Sequence, residues 1–159
     1  MNCLVRKGEL KDAKAIYSLI EELAVFEREP EAVEVTLKDI EEDGFGKSPK
    51  FEVFIGEIDD VVVGMALFYY RYSTWKGTTI HLEDLIVKEA ARGKGMGKLL
   101  YNQVLKYAQE QQLRRVEWAV LDWNTPAVDF YENSGAVVFK DWRVVQMDQE
   151  QLKTYVERL

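Results

Sequence analysis

The run Arg92-Gly93-Lys94-Gly95-Met96-Gly97-Lys98 places three glycines at alternate positions among three cations, in a chain whose net charge is −7. Glycines at 93, 95 and 97 leave no side chain between a ligand and the backbone N–H groups, while Arg92, Lys94 and Lys98 add charge, so the run suits a phosphate or pyrophosphate. A purely structural turn is the other reading of the same residues. Two nucleotide loops are excluded. A P-loop needs Ser or Thr after Gly97-Lys98, where Leu99 stands, and glycine at 92, where Arg stands; a dinucleotide fingerprint needs glycine in place of Lys98. One cysteine, Cys3, and one histidine, His81, allow neither an internal disulfide nor a zinc site of the usual ligands. No metal is expected, nor a Cys/His nucleophile pair, and His81 is open to reading as a proton relay or a structural strand residue.

The loop belongs to an acidic chain of 159 residues, 47% apolar and 31% charged, a composition that suits one globular domain over 1–159. The charge is uneven. Residues 1–60 carry 16 acidic and 8 basic side chains, and residues 61–159 carry 12 and 13. This balance argues against a nucleic-acid binder and suits a small cation together with a phosphate-bearing ligand. No apolar run is long enough for a membrane span and no secretory pattern opens the chain, so a soluble cytoplasmic protein without membrane contact is expected.

The elements that must position the loop follow from periodicity. Residues 3–6 read as a short strand. From Asp12 the residues Ile16, Leu19, Ile20 and Leu23 share one helical face, and that helix should end near Arg28, before Pro30. Thr36 and Asp39 form a capping box for a short helix over Leu37 to Asp43, closed by Gly44. Runs 51–58 and 61–72, split by Asp59-Asp60, predict a hairpin, and 78–87 a third long strand. After the loop comes a helix with Leu100, Val104, Tyr107 and Ala108 on one face. A strand is then expected over 115–121, a helix from Asn124 to Asn133 stopped by Gly135, two strands within 136–147 and a terminal helix capped by Asp148. The order implies an α/β fold, a mixed sheet with helices on both faces.

With the pattern Arg-x-x-Gly-x-Gly in place, the chain resembles the GNAT superfamily of N-acetyltransferases, and within it the spermidine/spermine and thialysine (diamine) N-acetyltransferase group. The likeness rests on Glu-Leu-Ala-x-Phe-Glu at 22–27, Glu-Asp-Gly-Phe-Gly at 42–46, Tyr-Ser-Thr-Trp-Lys-Gly at 72–77, Leu-Glu-Asp at 82–84, the loop at 92–97, Ala-Val-Leu-Asp-Trp-Asn at 119–124 and Phe130-Tyr131. It implies a mostly antiparallel sheet and acetyl-CoA as cosubstrate. It further implies that the backbone of Leu85, Ile86 and Val87 pairs with the pantetheine arm, that Arg92, Gly93, Lys94, Gly95, Met96, Gly97 and Lys98 hold the pyrophosphate, and that Asn124, Thr125, Pro126 and Ala127 support the cofactor. A splay between the strands at 78–87 and 115–121 would form the acetyl channel.

The same resemblance makes Tyr131 the acid that protonates the departing CoA thiolate; a core tyrosine beside Phe130 is its bland alternative. Glu83 would draw a proton from the amine through water, with Asp84 holding the cation, since an alkylamine of pKa near 10.4 costs about 4.6 kcal/mol to deprotonate at pH 7. Adjacent strand residues face opposite ways, so Glu83 and Asp84 share a pocket only if the strand bulges. Phe26, Glu27, Trp75, Glu117, Trp118 and Ala119 match positions that line the amine pocket, although Glu27 reads equally well as an exposed helix end. Polyamine-type relatives carry an acid where this chain has Ser73, and 72–77 looks like the thialysine branch. The expected activity is therefore acetylation of a small primary amine, a thialysine-like amino acid, diamine or polyamine. Acetylation of a peptide amine and a non-catalytic CoA-sensing module are the alternatives. The related enzymes imply a homodimer, formed through the segments after Gly135.

Overall fold

Runs of β-branched and aromatic residues pair into a five-stranded sheet in which sequence neighbours are also spatial neighbours: β1 (Cys3–Lys7), β2 (Glu52–Ile58), β3 (Val61–Ser73), β4 (Gly77–Val87) and β5 (Val116–Glu117). The first three pairings are antiparallel and β4–β5 is parallel. The computed structural model describes residues 1–159, which fall into two units, 1–119 and 120–159. The sheet lies in the first unit together with α1 (Ala13–Phe26), α2 (Leu37–Phe45) and α3 (Met96–Glu110).

Alternation along the strands divides the core into two layers. Phe54, Ala66, Phe68, Ile80 and Leu82 pack with Met96, Leu100 and Val104 of α3 on one face. On the other, Val53, Ile55, Met65, Leu67 and Ile86 pack with Ile16 and Leu19 of α1 and Ile40 of α2. The helices therefore cover both faces, and the apolar stripes of α1 and α3 are the ones that periodicity identified.

Local chemistry sets the ends of these elements. The Asp59-Asp60 turn joins Ile58 to Val61 with both φ values positive, 48° and 65°, as a type I′ hairpin requires. Thr36 and Asp39 form the expected reciprocal box, Asp39 N donating to Thr36 Oγ1 (3.2 Å) and Thr36 N to Asp39 Oδ2 (2.8 Å). Helix α2 nevertheless runs past Gly44 to Phe45. Gly44 is a packing residue, because a Cβ there would meet the Phe51 ring at 2.6 Å. α1 ends with Arg28 in the left-handed region (φ 66°), Arg28 N donating to Val25 O and Glu29 N to Ala24 O, the Schellman pattern without its usual glycine.

Two expectations of strand are corrected. The strand expected over 115–121 is only Val116–Glu117, because β4 bulges just beyond their partners and Trp118 leaves the ladder to pack edge-on against Tyr101, ring centres 5.7 Å apart. Residues 136–147 form no strand at all. Their backbone makes none of the hydrogen bonds that a ladder requires, and alternation of side chains alone does not create a strand. The second unit contains α4 (Thr125–Asn133) and α5 (Gln149–Val156). Gly135 at φ 94° closes α4, with Ala136 N donating to Tyr131 O, and Asp148 caps α5 by accepting from Gln151 N at 2.8 Å.

Candidate active site

The register of β3 against β4 holds the decisive feature. Phe68 pairs with Leu82 and Leu67 with Asp84, so Glu83 is an extra residue on β4, a β-bulge. Before it, even-numbered side chains face α3; after it, Leu85 and Val87 do. The bulge resets the alternation and lets two adjacent carboxylates reach the α1 side together. Glu83 is tied there to Tyr69, whose hydroxyl donates to Glu83 Oε2 at 2.9 Å. Asp84 takes the position that an uninterrupted strand would give only to its neighbour.

α1 brings the third carboxylate. Its last turns lie against the β4–α3 connection, with Glu89 N donating to Glu22 Oε1 (3.0 Å) and the Arg92 guanidinium 5.2 Å from the centre of the Phe26 ring. Glu27, at the C-cap of α1, feels Glu83: burial raises its pKa and the Glu83 charge adds to the rise. Burial, then Glu83, then Glu27 push the Asp84 carboxyl up to about 6. Glu27 and Asp84, both raised by burial and by the charge of Glu83, form with it a group of acids suited to a cation, whose arrival would relieve both repulsion and desolvation.

Beside this cluster β4 has an open edge. It pairs with β5 only at Ile80 and His81, so no strand flanks its outer side from Leu82 to Val87. Lys88 N donates to Val63 O, and by alternation the N–H and C=O groups of Val87 and Leu85 point outward, Val87 O accepting from Arg92 Nε at 3.0 Å. Ile86 turns its backbone toward β3 and its side chain into the core, so Leu85 and Val87 are the residues with groups to offer an amide-rich arm.

The glycine loop follows directly. Gly93 and Gly95 have φ values of 76° and 83°, and a Cβ on either would meet nothing within 4 Å. The space over the loop is open and the glycines serve its backbone conformation. Gly95 is the N-cap of the fifteen-residue α3, and no side chain caps the first turn, so its N–H groups stay available beside the exposed Arg92, Lys94 and Lys98. Met96 contributes its backbone only, its side chain being buried beneath Gly56. These features fit a pyrophosphate.

Other expected residues lie elsewhere. Trp75 is 80% exposed in the β3–β4 turn, and β4 runs six residues, roughly 20 Å, from Gly77 at the end of that turn to Glu83. Ser73, in the same turn, accepts from the N–H groups of Trp75 and Lys76, both at 3.2 Å. Glu117 is engaged by Arg71 and, at 3.0 Å, by Arg115 Nε, so its charge is already balanced. Trp118 packs on Tyr101, and Ala119 is exposed at the end of the first unit. In the second unit Asn124 is the N-cap of α4, followed by Thr125 and Pro126 in its first turn, with Ala127 N donating to Asn124 O. Tyr131 is buried on α4, edge-on to Phe130 at 5.5 Å. Sequence reasoning missed Tyr69, Arg71 and Arg115. Their roles depend on cross-strand register, which the bulge shifts and no local pattern reports.

An open strand edge beside a glycine-rich helix N-terminus, with acids grouped next to both, is the arrangement of an acyltransferase that uses a nucleotide-bearing thioester. The profile of the acetyltransferase (GNAT) family matches residues 13–136, and the chain belongs to that family. It is an N-acetyltransferase that depends on acetyl-CoA. Thialysine N-epsilon-acetyltransferase of Bos taurus is 36% identical over 141 residues, covering 84% of this chain and 83% of its own. Spermidine/spermine N(1)-acetyltransferase-like protein 1 of Homo sapiens is 31% identical over 158 residues, 93% of this chain but 23% of that longer protein. Among solved structures, an integron cassette protein from the mobile metagenome of V. cholerae superposes with a TM-score of 0.81 at 20% identity, covering 99% of both chains, a likeness of fold.

Proposed function

We propose that the chain acetylates the primary amine of a small molecule, a thialysine-like amino acid, a diamine or a polyamine, by direct transfer from acetyl-CoA. The observation that carries this reading is the grouping of Glu27, Glu83 and Asp84 around the β4 bulge, beside the open strand edge. Ser73 weighs toward the amino acid or short diamine, because its hydroxyl serves a turn and adds no acid for a third or fourth amine. Likeness to thialysine and spermidine/spermine acetyltransferases supports the same class.

Leu85 and Val87 would hold the pantetheine arm through their outward backbone groups, and Arg92 to Lys98 the pyrophosphate, with Asn124 to Ala127 as further support. Bound acetyl-CoA supplies an activated thioester carbonyl. The chain's own residues do the rest. Asp84 and Glu27 hold the substrate as an ammonium, and Glu83 accepts its proton through water, offsetting part of the roughly 4.6 kcal/mol that deprotonation costs at pH 7. Tyr131 donates its phenolic proton to the departing thiolate. Because the family match runs across residue 119 into the second unit, we read both units as one catalytic domain.

The test is CoA release across thialysine, lysine, putrescine, spermidine, spermine and a lysine peptide. Thialysine or a diamine should be preferred, and Tyr131→Phe should lower kcat roughly 10²–10⁴-fold. A peptide preference, or Tyr131→Phe at the wild-type rate, would reject the substrate class or the acid respectively.

A further inference from the structure

His81 and Tyr69 meet the candidate base from one side. The Tyr69 hydroxyl donates to Glu83 Oε2 at 2.9 Å, and His81 Nε2 lies 3.5 Å from the same oxygen. The His81 ring packs on the Tyr69 ring, 5.4 Å between centres, as expected for directly paired residues on β3 and β4. Both contacts fall on Oε2, which leaves Oε1 for the amine or its bridging water. We propose that Tyr69 and His81 are positioning residues for Glu83, fixing the oxygen turned away from the amine, and that His81 carries the abstracted proton from Glu83 to solvent.

The inference rests on the reading of Glu83 as the base and asks what restores that base after each turnover. The substrate N–H bond breaks and Glu83 gains the proton. It gains it on Oε1; the neutral carboxyl then turns about its Cγ–Cδ bond, the O–H bond breaks as His81 Nε2 gains the proton, and the imidazolium releases it to water. The second transfer runs downhill because an imidazole is a stronger base than a carboxylate. The gap of 3.5 Å is at the limit of hydrogen bonding, and such contacts tighten when substrate binds. His81 has the exit the step needs, since its side chain is 20% exposed.

The imidazole sits among shared charges. Glu83 from β4 and Glu117 from β5 face it, with Nδ1 3.8 Å from Glu117 Oε1. Glu117 is shared with Arg71 from β3 and with Arg115, so its charge is already taken up by two guanidinium groups. His81 Nδ1 is buried without a hydrogen-bond partner, a cost that a purely structural histidine would relieve by turning that nitrogen to an acceptor. Tyr69 remains a donor throughout, its phenol pushed up to about 12 by burial and by Glu83.

The experiment is steady-state kinetics of the full chain with its best amine, for Tyr69→Phe, His81→Phe and Glu83→Gln, with thermal unfolding of each. His81→Phe keeps a ring against Tyr69 and should lower kcat about 10–10²-fold, leave KM for acetyl-CoA unchanged and change the shape of the pH profile. Tyr69→Phe should lower kcat about tenfold. In a Glu83→Gln background neither change should cost anything more, and imidazole added to His81→Ala should restore part of the rate. Wild-type kcat and profile in both single variants, or a full further loss in the Glu83→Gln background, would overturn the proposal. Glu83→Gln at the wild-type rate would instead overturn the assignment of the base.

Discussion

Asp84, which we propose holds the substrate cation, carries a cost in stability. Its carboxyl is held near 6 by burial and by the charges of Glu83 and Glu27, well above an ordinary aspartate. A folded-state pKa above the unfolded one means that the folded chain binds the proton more tightly, so stability falls as pH rises from about 4 to 6. At pH 7 the charged carboxylate costs on the order of 3 kcal/mol. Asp84→Asn should raise the urea midpoint at pH 7, match wild type near pH 3 and raise KM for the amine. An Asp84→Asn variant less stable than wild type at pH 7 would show that its carboxylate is paired rather than repelled.

Elements carry smaller costs of the same kind, each traceable to one position. The type I′ turn between β2 and β3 puts aspartates at both left-handed positions, where glycine is free of the Cβ penalty. Asp60→Gly should stabilise by about 0.5–1 kcal/mol, roughly 1–4 °C in Tm, and leave kinetics unchanged. Asp59 is the poorer choice, because its Oδ1 accepts from Asn2 N at 2.8 Å and ties β1 to the turn. An unchanged or lower Tm in Asp60→Gly would indicate that the aspartate makes a compensating contact. The β4 bulge is an element-scale feature with the opposite value, since it interrupts a ladder and in doing so turns Glu83 and Asp84 to one face.

At the scale of the molecule, an ion cluster ties the first strand to the fold. Arg6 grips Asp12 with two hydrogen bonds of 2.7 and 2.8 Å and also reaches Glu57, with the Asp12 side chain only 5% exposed. The guanidinium holds the Asp12 carboxyl below its usual value. A depressed folded pKa contributes stability that is present above the unfolded value near 3.9 and lost as pH falls through the folded one. Arg6→Ala should cost about 3 kcal/mol at pH 7 and progressively less toward pH 2, measured by denaturant unfolding. A cost that does not shrink in acid would assign the loss to packing.

The other molecule-scale expectation concerns the segment after α4. Val137, Phe139, Trp142, Val144 and Val145 are all exposed, with alternation suited to a strand but no ladder within the chain. We propose that this apolar segment is the contact of a homodimer. Light scattering should give twice 18.5 kDa for the wild type and a monomer for Phe139→Lys with Trp142→Ser. A monomeric wild type at micromolar concentration would reject the contact.

The sequence by itself determined what short range controls. The faces of α1 and α3, the capping boxes at Thr36 and Asp148, the Asp59-Asp60 hairpin and the Gly95 cap depend on residues within four positions of one another, so their physics is written locally. Family likeness pointed to Glu83 and Glu27, and the residue pattern itself to the glycine loop. Only the tertiary structure decided that Glu83 is the bulged residue, that Glu117 is neutralised by Arg71 and Arg115, that β5 is two residues long and that 136–147 does not pair. Each of these turns on register between segments distant in the chain, where a slip of one residue reverses every face and no local pattern records the choice.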